Sequence, residues 1–277
     1  MRRTTKFRIL KTALISGSTV AISACGGSSG PAPLPVLGAA TPGTLVSCTD
    51  LAAKAVLSNT TISSATLVAS GGLVVAGVTT PMPEHCLVKG EMNRRTSSVD
   101  GKSYAIGFEM RLPTAWNGRY FYQANGGIDG SVVTATGPNS GGAPVSNALQ
   151  MGFAVLSSDA GHAGPPWWGL DPQARLDYGY QAVGSLTPMA KNLIKVAYGK
   201  SPDRSYFGGC SNGGRHALIA ATRYSDQYDG ILAGAPGFHL PKAATAQLWK
   251  VQQYASIATT TIATGADAGQ PDITSAV

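Results

Sequence analysis

Ser205-Tyr206-Phe207-Gly208-Gly209-Cys210-Ser211-Asn212-Gly213-Gly214-Arg215 is the stretch that decides the fold. Ser205-Tyr206-Phe207 reads as a short strand, and Gly213 to Tyr224, with its apolar run Ala217 to Ala221, reads as the helix behind it. Between them Gly209-Cys210-Ser211-Asn212-Gly213 fits G-x-S-x-G, the pattern of a nucleophile elbow. The spacing has a physical cause. A serine on a sharp strand-to-helix turn takes strained backbone angles, and residues without side chains two positions to either side let the chain pass close to itself. The Ser211 hydroxyl then projects at the carboxyl edge of a sheet, above a helix N-terminus that favours developing negative charge. Gly214 lets that helix start close to the sheet.

The rest of the chain supplies such a sheet. Tyr104, Ile106, Phe108, Met110 and Leu112 alternate with smaller or polar residues, which predicts a strand over 103–112 ended by Pro113. Further strands are expected over 119–123, 152–157 and 230–235, and helices over 145–151, over 186–198 with a stop at Gly199, and from Pro241 to Tyr254. Upstream, 47–57 reads as a short helix capped by Ser47 or Thr49, and 65–68 with 73–78 reads as a hairpin around Gly71-Gly72. Strands alternating with helices from residue 103 onward predict an α/β fold, a mostly parallel sheet wrapped on both faces. A serine at its edge needs donors for an oxyanion. The amide of Asn212 is one, and Asn125-Gly126-Gly127, after the strand at 119–123, is the candidate loop for the other.

Composition excludes several classes. Of 277 residues only 13% are charged, which excludes helical coiled coils and disordered polyelectrolytes. The formal charge of +7 is concentrated in the leader, where Arg2, Arg3, Lys6, Arg8 and Lys11 stand without an acid. Without them 16 basic side chains face 14 acidic ones, so no nucleic-acid partner is expected. A basic start, a short apolar run over 12–22 and Ile22-Ser23-Ala24-Cys25 make residues 1–24 an export signal. The ending resembles the lipobox of bacterial lipoproteins, in which Cys25 is acylated; the residues after Arg2-Arg3 fit a twin-arginine signal poorly. Residues 25–45, rich in Gly, Ser, Pro and Ala, read as a tether. The folded part is therefore expected in the periplasm or outside the cell, touching a membrane through the lipid anchor only. Export permits disulfides, and Cys48 and Cys86, at opposite ends of one segment, are natural partners. Closing that loop is worth about 4 kcal/mol on chain-entropy arithmetic. Cys210 is left as a free thiol or half of a bridge.

The elbow with Arg215 behind it resembles the corresponding block of the tannase and feruloyl esterase family. Tyr228-Asp229-Gly230-Ile231, Ala233-Gly234-Ala235-Pro236-Gly237, Trp116-Asn117-Gly118-Arg119 and the run Gly169 to Asp177 resemble further family blocks, and the likeness spans residues 46–255. It implies an α/β-hydrolase fold with Ser211 as nucleophile and the Gly127 and Asn212 amides as oxyanion donors. It also implies a Cys48–Cys86 bridge, and a bridge from Cys210 to a cysteine beside the catalytic histidine. Members include tannases, feruloyl esterases and hydrolases of terephthalate monoesters, so the implied partner is a small aromatic ester. The family carries an inserted lid with a structural calcium, then strands bearing the triad acid and histidine. These have no counterpart here: the lid and last strands are expected to be missing, with 256–277 the start of the lid insertion or a disordered tail. No metal or other cofactor is expected in this chain.

Could an internal histidine serve instead? His85, beside Cys86, reads as a surface residue; His162, in Ser-Asp-Ala-Gly-His after a strand, could line the pocket; His216 should point sideways from the elbow helix. His239 follows the strand at 230–235 with Asp226 or Asp229 before it, but those aspartates enter the strand at its opposite end. Trp167-Trp168 could stack on an aromatic acyl group or pack on the core. Two functions compete. One is hydrolysis of an aromatic or phenolic acid ester through a serine acyl-enzyme; the other is a non-catalytic surface lipoprotein, a remnant that binds aromatic ligands. A nucleotide-binding reading fails, because no Lys follows the glycines and no G-x-G-x-x-G run occurs. The leader carries a test of its own. Expressed with that leader, the protein is expected in the membrane fraction with an acylated Cys25 at its mature N-terminus, and Cys25→Ser is expected to block lipid attachment. Mass spectrometry of the N-terminal peptide checks this, and a different mature N-terminus overturns it.

Overall fold

Seven strands line up edge to edge in a computed structural model that describes residues 37–138, 147–164, 166–258, 260–264, 268–269 and 271–272. They are β1 (Thr60–Val68), β2 (His85–Thr96), β3 (Ser103–Pro113), β4 (Arg119–Ala124), β5 (Ala154–Ser158), β6 (Arg204–Cys210) and β7 (Gly230–Gly234). Their spatial order is β1-β2-β3-β5-β4-β6-β7. Among the described residues the α-helices are α1 (Leu51–Lys54), α2 (Pro172–Leu176), α3 (Ala182–Tyr198), α4 (Asn212–Arg223) and α5 (Leu240–Ile257). Ala39–Val277 is one compact unit; Met1–Gly38, which holds the expected leader and Cys25, is a separate one and lies almost wholly outside the described residues.

The expected parallel sheet is found only in part. β5, β4, β6 and β7 are mutually parallel, whereas β1, β2 and β3 form an antiparallel meander that joins β5 antiparallel through β3. The reason is the connections. No helix separates β1 from β2 or β2 from β3, and strands joined by a loop alone return antiparallel, while parallel neighbours need a crossover. The expected hairpin of 65–68 with 73–78 is accordingly replaced. β1 pairs with β2, Val68 opposite His85, and Leu73, Val75 and Val78 pack as loop residues on a small core cluster. Of the expected helix at 145–151, residues 145 and 146 lie outside the described residues, and the remainder is a turn that buries Ala148 and Leu149. The expected helix at 47–57 shrinks to α1 with Asp50 as its first flanking residue, because Cys48 is bonded to Cys86 on β2 and Ser47 donates a hydrogen bond to the Asp50 carboxylate.

Side chains on the central strands divide by the two-residue period of a strand. Tyr120, Tyr122, Ala154, Leu156 and Phe207 face the main core with α3 and α4, and Phe121 and Val155 face the opposite cluster under Met82 and Leu149. Each fully buried large apolar side chain contributes about 1.5–3 kcal/mol. α3 supplies Leu186, Ala190, Leu193, Ile194 and Ala197 at helical spacing and stops at Gly199, whose φ of 75° is the left-handed cap that glycine accepts without strain.

β5 runs out into Asp159, whose buried carboxylate accepts hydrogen bonds from Gly107 N (3.0 Å) and Gly161 N (2.8 Å). Burial pushes this carboxyl up from 3.8 to about 7, and the nearby Asp129 charge pushes the same way. Between those two values the folded chain holds a proton that the unfolded chain has lost. Stability from this group therefore falls as pH rises from about 4 towards 7. The expectation is that Asp159→Asn flattens the pH dependence of stability between about pH 5 and pH 7.5. Urea unfolding midpoints of both forms at the two pH values check this, and identical slopes overturn it.

Candidate active site

Ser211 is the hinge between β6 and α4. Its backbone has φ 59° and ψ −117°, a strained combination for a residue with a Cβ. Three hydrogen bonds hold it there. Ser211 N donates to Gly234 O (3.0 Å), and Ser211 O accepts from Arg215 N (3.0 Å) and Gly237 N (2.9 Å). The elbow glycines are required by space. A Cβ on Gly213 would stand 2.3 Å from Ala124 O, one on Gly209 would stand 2.6 Å from the Gly213 backbone, and one on Gly214 would stand 2.3 Å from Gly234 O. These neighbours are backbone atoms that cannot swing away. The elbow is thus wedged between the ends of β4 and β7, and the exposed Ser211 side chain stands at the carboxyl edge of the parallel strands.

The loop expected to give the second oxyanion donor lies beside it. Asn125, buried at the end of β4, donates through Nδ2 to Ser157 Oγ (3.0 Å) and Ser158 O (2.8 Å), which ties the loop to β5. Gly126 and Gly127 follow, both exposed, with Gly127 at φ 66°. A cavity of about 430 Å³ opens between loop and elbow, lined among others by Asn125, Gly126, Val133, Pro138, Gly209 and Ser211. Cys210, exposed on its rim, is a free thiol. The elbow and the glycine loop thus meet at one edge of the sheet, as their places after β6 and β4 predict: a Cβ on Gly126 would stand 3.8 Å from Cys210 O, and Asn212 Nδ2 donates to Asn125 O at 3.5 Å.

A polar cluster that sequence reading did not find lies behind them. The Asp129 carboxylate, 2% exposed, accepts at Oδ2 from Asn212 Nδ2 (2.6 Å) and His216 Nε2 (2.8 Å). Asn212 Oδ1 in turn accepts from the Tyr178 hydroxyl (2.9 Å) and Arg215 Nε (2.8 Å). Tyr178 comes from a π-helical turn, Asp177–Gln181, and Arg215 sits 4.2 Å over its ring. Asn212 and His216 reach one carboxylate because residues four apart share a helix face. The only trace in the sequence was that spacing together with Arg215.

The histidines are placed differently from their sequence readings. His85 is fully buried, not a surface residue: Nδ1 donates to Pro83 O (2.7 Å) and Nε2 accepts from Arg111 (2.6 Å), itself paired with Glu109. His162 does not line the cavity. It lies beneath the glycine loop, donates from Nε2 to Ile128 O (2.9 Å) and stacks on Trp168 at 4.0 Å. His216 points into the cluster, not sideways. Burial pushes both imidazoles below their ordinary range. His239, exposed at the start of α5, packs on Phe238, while Asp229 accepts from Ser205 N at the start of β6, the end away from Ser211. Among the described residues no histidine hydrogen-bonds the Ser211 hydroxyl. Trp167 is exposed, and Trp168 belongs to the support beneath the loop. Among the described residues no three His, Cys, Asp or Glu side chains stand together as a metal-binding group. No helix among them is long and apolar enough to cross a membrane.

Comparison with known proteins fits this geometry. The family described as "Tannase and feruloyl esterase" matches residues 86–268. A mono(2-hydroxyethyl) terephthalate hydrolase from Piscinibacter sakaiensis is 42% identical over 187 residues, which are 64% of this chain and 31% of that protein. A probable feruloyl esterase B-2 from Neosartorya fischeri is 30% identical over 61% of this chain and 30% of its own length. The crystal structure of feruloyl esterase B from Aspergillus oryzae superposes with a TM-score of 0.61 at 26% identity, covering 76% of this chain and 40% of that one. The chain thus spans about a third of the length of the curated relatives it matches. The mixed sheet with its elbow between β6 and α4 is an α/β-hydrolase fold, and the chain belongs to the tannase and feruloyl esterase family.

Proposed function

We propose that this chain carries the nucleophile and oxyanion donors of an exported serine carboxylesterase that hydrolyses esters of aromatic or phenolic acids. One observation carries the reading: the strained backbone of Ser211, at the mouth of a cavity and at the N-terminus of α4. Strain persists only where surroundings enforce it, and here backbone-to-backbone contacts at Gly209, Gly213 and Gly214 do so. In the reaction, Ser211 Oγ attacks the ester carbonyl carbon while its proton passes to a base outside the described residues. The carbonyl oxygen takes the charge and is held by the amides of Asn212 and Gly127. Collapse expels the alcohol, which takes the proton, and leaves an acyl-serine that water then hydrolyses. The aromatic acyl group is supported by family membership and by relatives named for terephthalate monoester and feruloyl esters.

One competing reading is a surface lipoprotein that binds aromatic ligands without turnover. The two separate on labelling. In the complete gene product an organophosphonate is expected to modify Ser211 stoichiometrically, and Ser211→Ala is expected to lower turnover of a phenolic ester by about 10⁴ or more. Labelling with mass mapping and steady-state kinetics check both. A variant that keeps a tenth of the wild-type rate overturns the esterase.

A further inference from the structure

Gly126 and Gly127 have no side chains with which to fix their own place, yet an amide that is to meet a developing oxyanion must be held within a fraction of an ångström. Their position comes from the flanks. On one side Asn125 is tied to β5. On the other, His162 donates to Ile128 O (2.9 Å), Gly130 N donates to Asp159 O (3.2 Å), and Asp129 turns back at φ 58° with its N–H towards Gly126 O (3.4 Å). That turn sends the Asp129 side chain inward, where one oxygen accepts from both Asn212 and His216. The orientation of the Asn212 amide is settled by its other end. Oδ1 already accepts from Tyr178 and Arg215, so Nδ2 must be the group facing Asp129.

Building on the esterase reading, we propose that Asp129 is a positioning residue, a clasp that sets the spacing of the two oxyanion amides, Gly127 N–H and Asn212 N–H. It stands two residues beyond the first donor and is hydrogen-bonded to the side chain of the residue that supplies the second. His216 completes the clasp from the next turn of α4. Its side chain, 2% exposed, does not line the cavity. Removing the carboxylate leaves buried His216 Nε2–H without an acceptor and Asn212 Nδ2 with only its long 3.5 Å bond to Asn125 O, and frees the loop to drift.

The test uses the complete gene product and two readouts. In kinetics with a phenolic ester, Asp129→Ala is expected to lower kcat by about 10² with KM within about threefold, since the lost interaction acts only on the developing charge. Asp129→Asn keeps the shape and one acceptor oxygen and is expected to recover about tenfold of that loss. In hydrogen exchange, amides over 125–130 are expected to exchange about tenfold faster in Asp129→Ala, with β1–β3 unchanged. Should Asp129→Ala fail to fold, Asp129→Asn is judged by the same readouts, with smaller changes of the same sign expected. A kcat within threefold of wild type, with Ser211→Ala dead, overturns the clasp and leaves the esterase standing. Should Ser211→Ala stay active, the esterase fails and exchange alone decides the clasp: unchanged protection over 125–130 overturns it.

Discussion

The approach of Gly213 to the Ala124 carbonyl is the contact on which the rest of the site depends. α4 begins so near the end of β4 that no side chain fits between them, and the same crowding at Gly209 and Gly214 presses the elbow against its own helix and against β7. Three consequences share this one cause. Ser211 is driven into its strained backbone angles, its side chain is thrown outward, and the first turn of α4 is laid against the glycine loop at 125–130. Residues lacking a Cβ act here through what they permit.

A second layer of design is polar. Most of the core is apolar and would tolerate exchange among residues of similar volume. The cluster of Asp129, Asn212, His216, Arg215 and Tyr178 is different, because its members are fixed by direction as well as by size. It joins β4's loop, the π turn before α3 and two turns of α4. Its buried donors and acceptors are matched, which lets the Asp129 carboxyl group sit in the interior without an unpaired neighbour.

How much of this was legible in the sequence depends on the range of the interaction. β3 was readable because an alternating pattern is local, and so were the end of α3 at Gly199 and the elbow between β6 and α4. The pairing of Cys48 with Cys86 was readable from the placing of the cysteines at opposite ends of one segment. The partner of β1 was not, since Leu73, Val75 and Val78 have strand-like composition and are used instead to cover the far face of the sheet. Asp129 carried no signal at all. An aspartate between Ile128 and Gly130 looks like any turn residue until α4 brings Asn212 and His216 against it. His85 looked like a surface residue for the same reason: its partner Arg111 reaches it only through the register of β2 and β3.

The mixed sheet has a consequence in chain entropy. β1, β2 and β3 pair with their sequence neighbours, so their assembly closes only the loops 69–84 and 97–102. β4 must instead find β5 across residues 125–153, and β6 across a longer segment that contains β5, α2 and α3. The free-energy cost of closing a loop grows with its length, slowly but without limit. Ser211 and the loop at 125–130 therefore lie in the half of the sheet whose closure restricts the chain most. The covalent link from Cys48 lies in the other half, on a strand whose neighbours were already close.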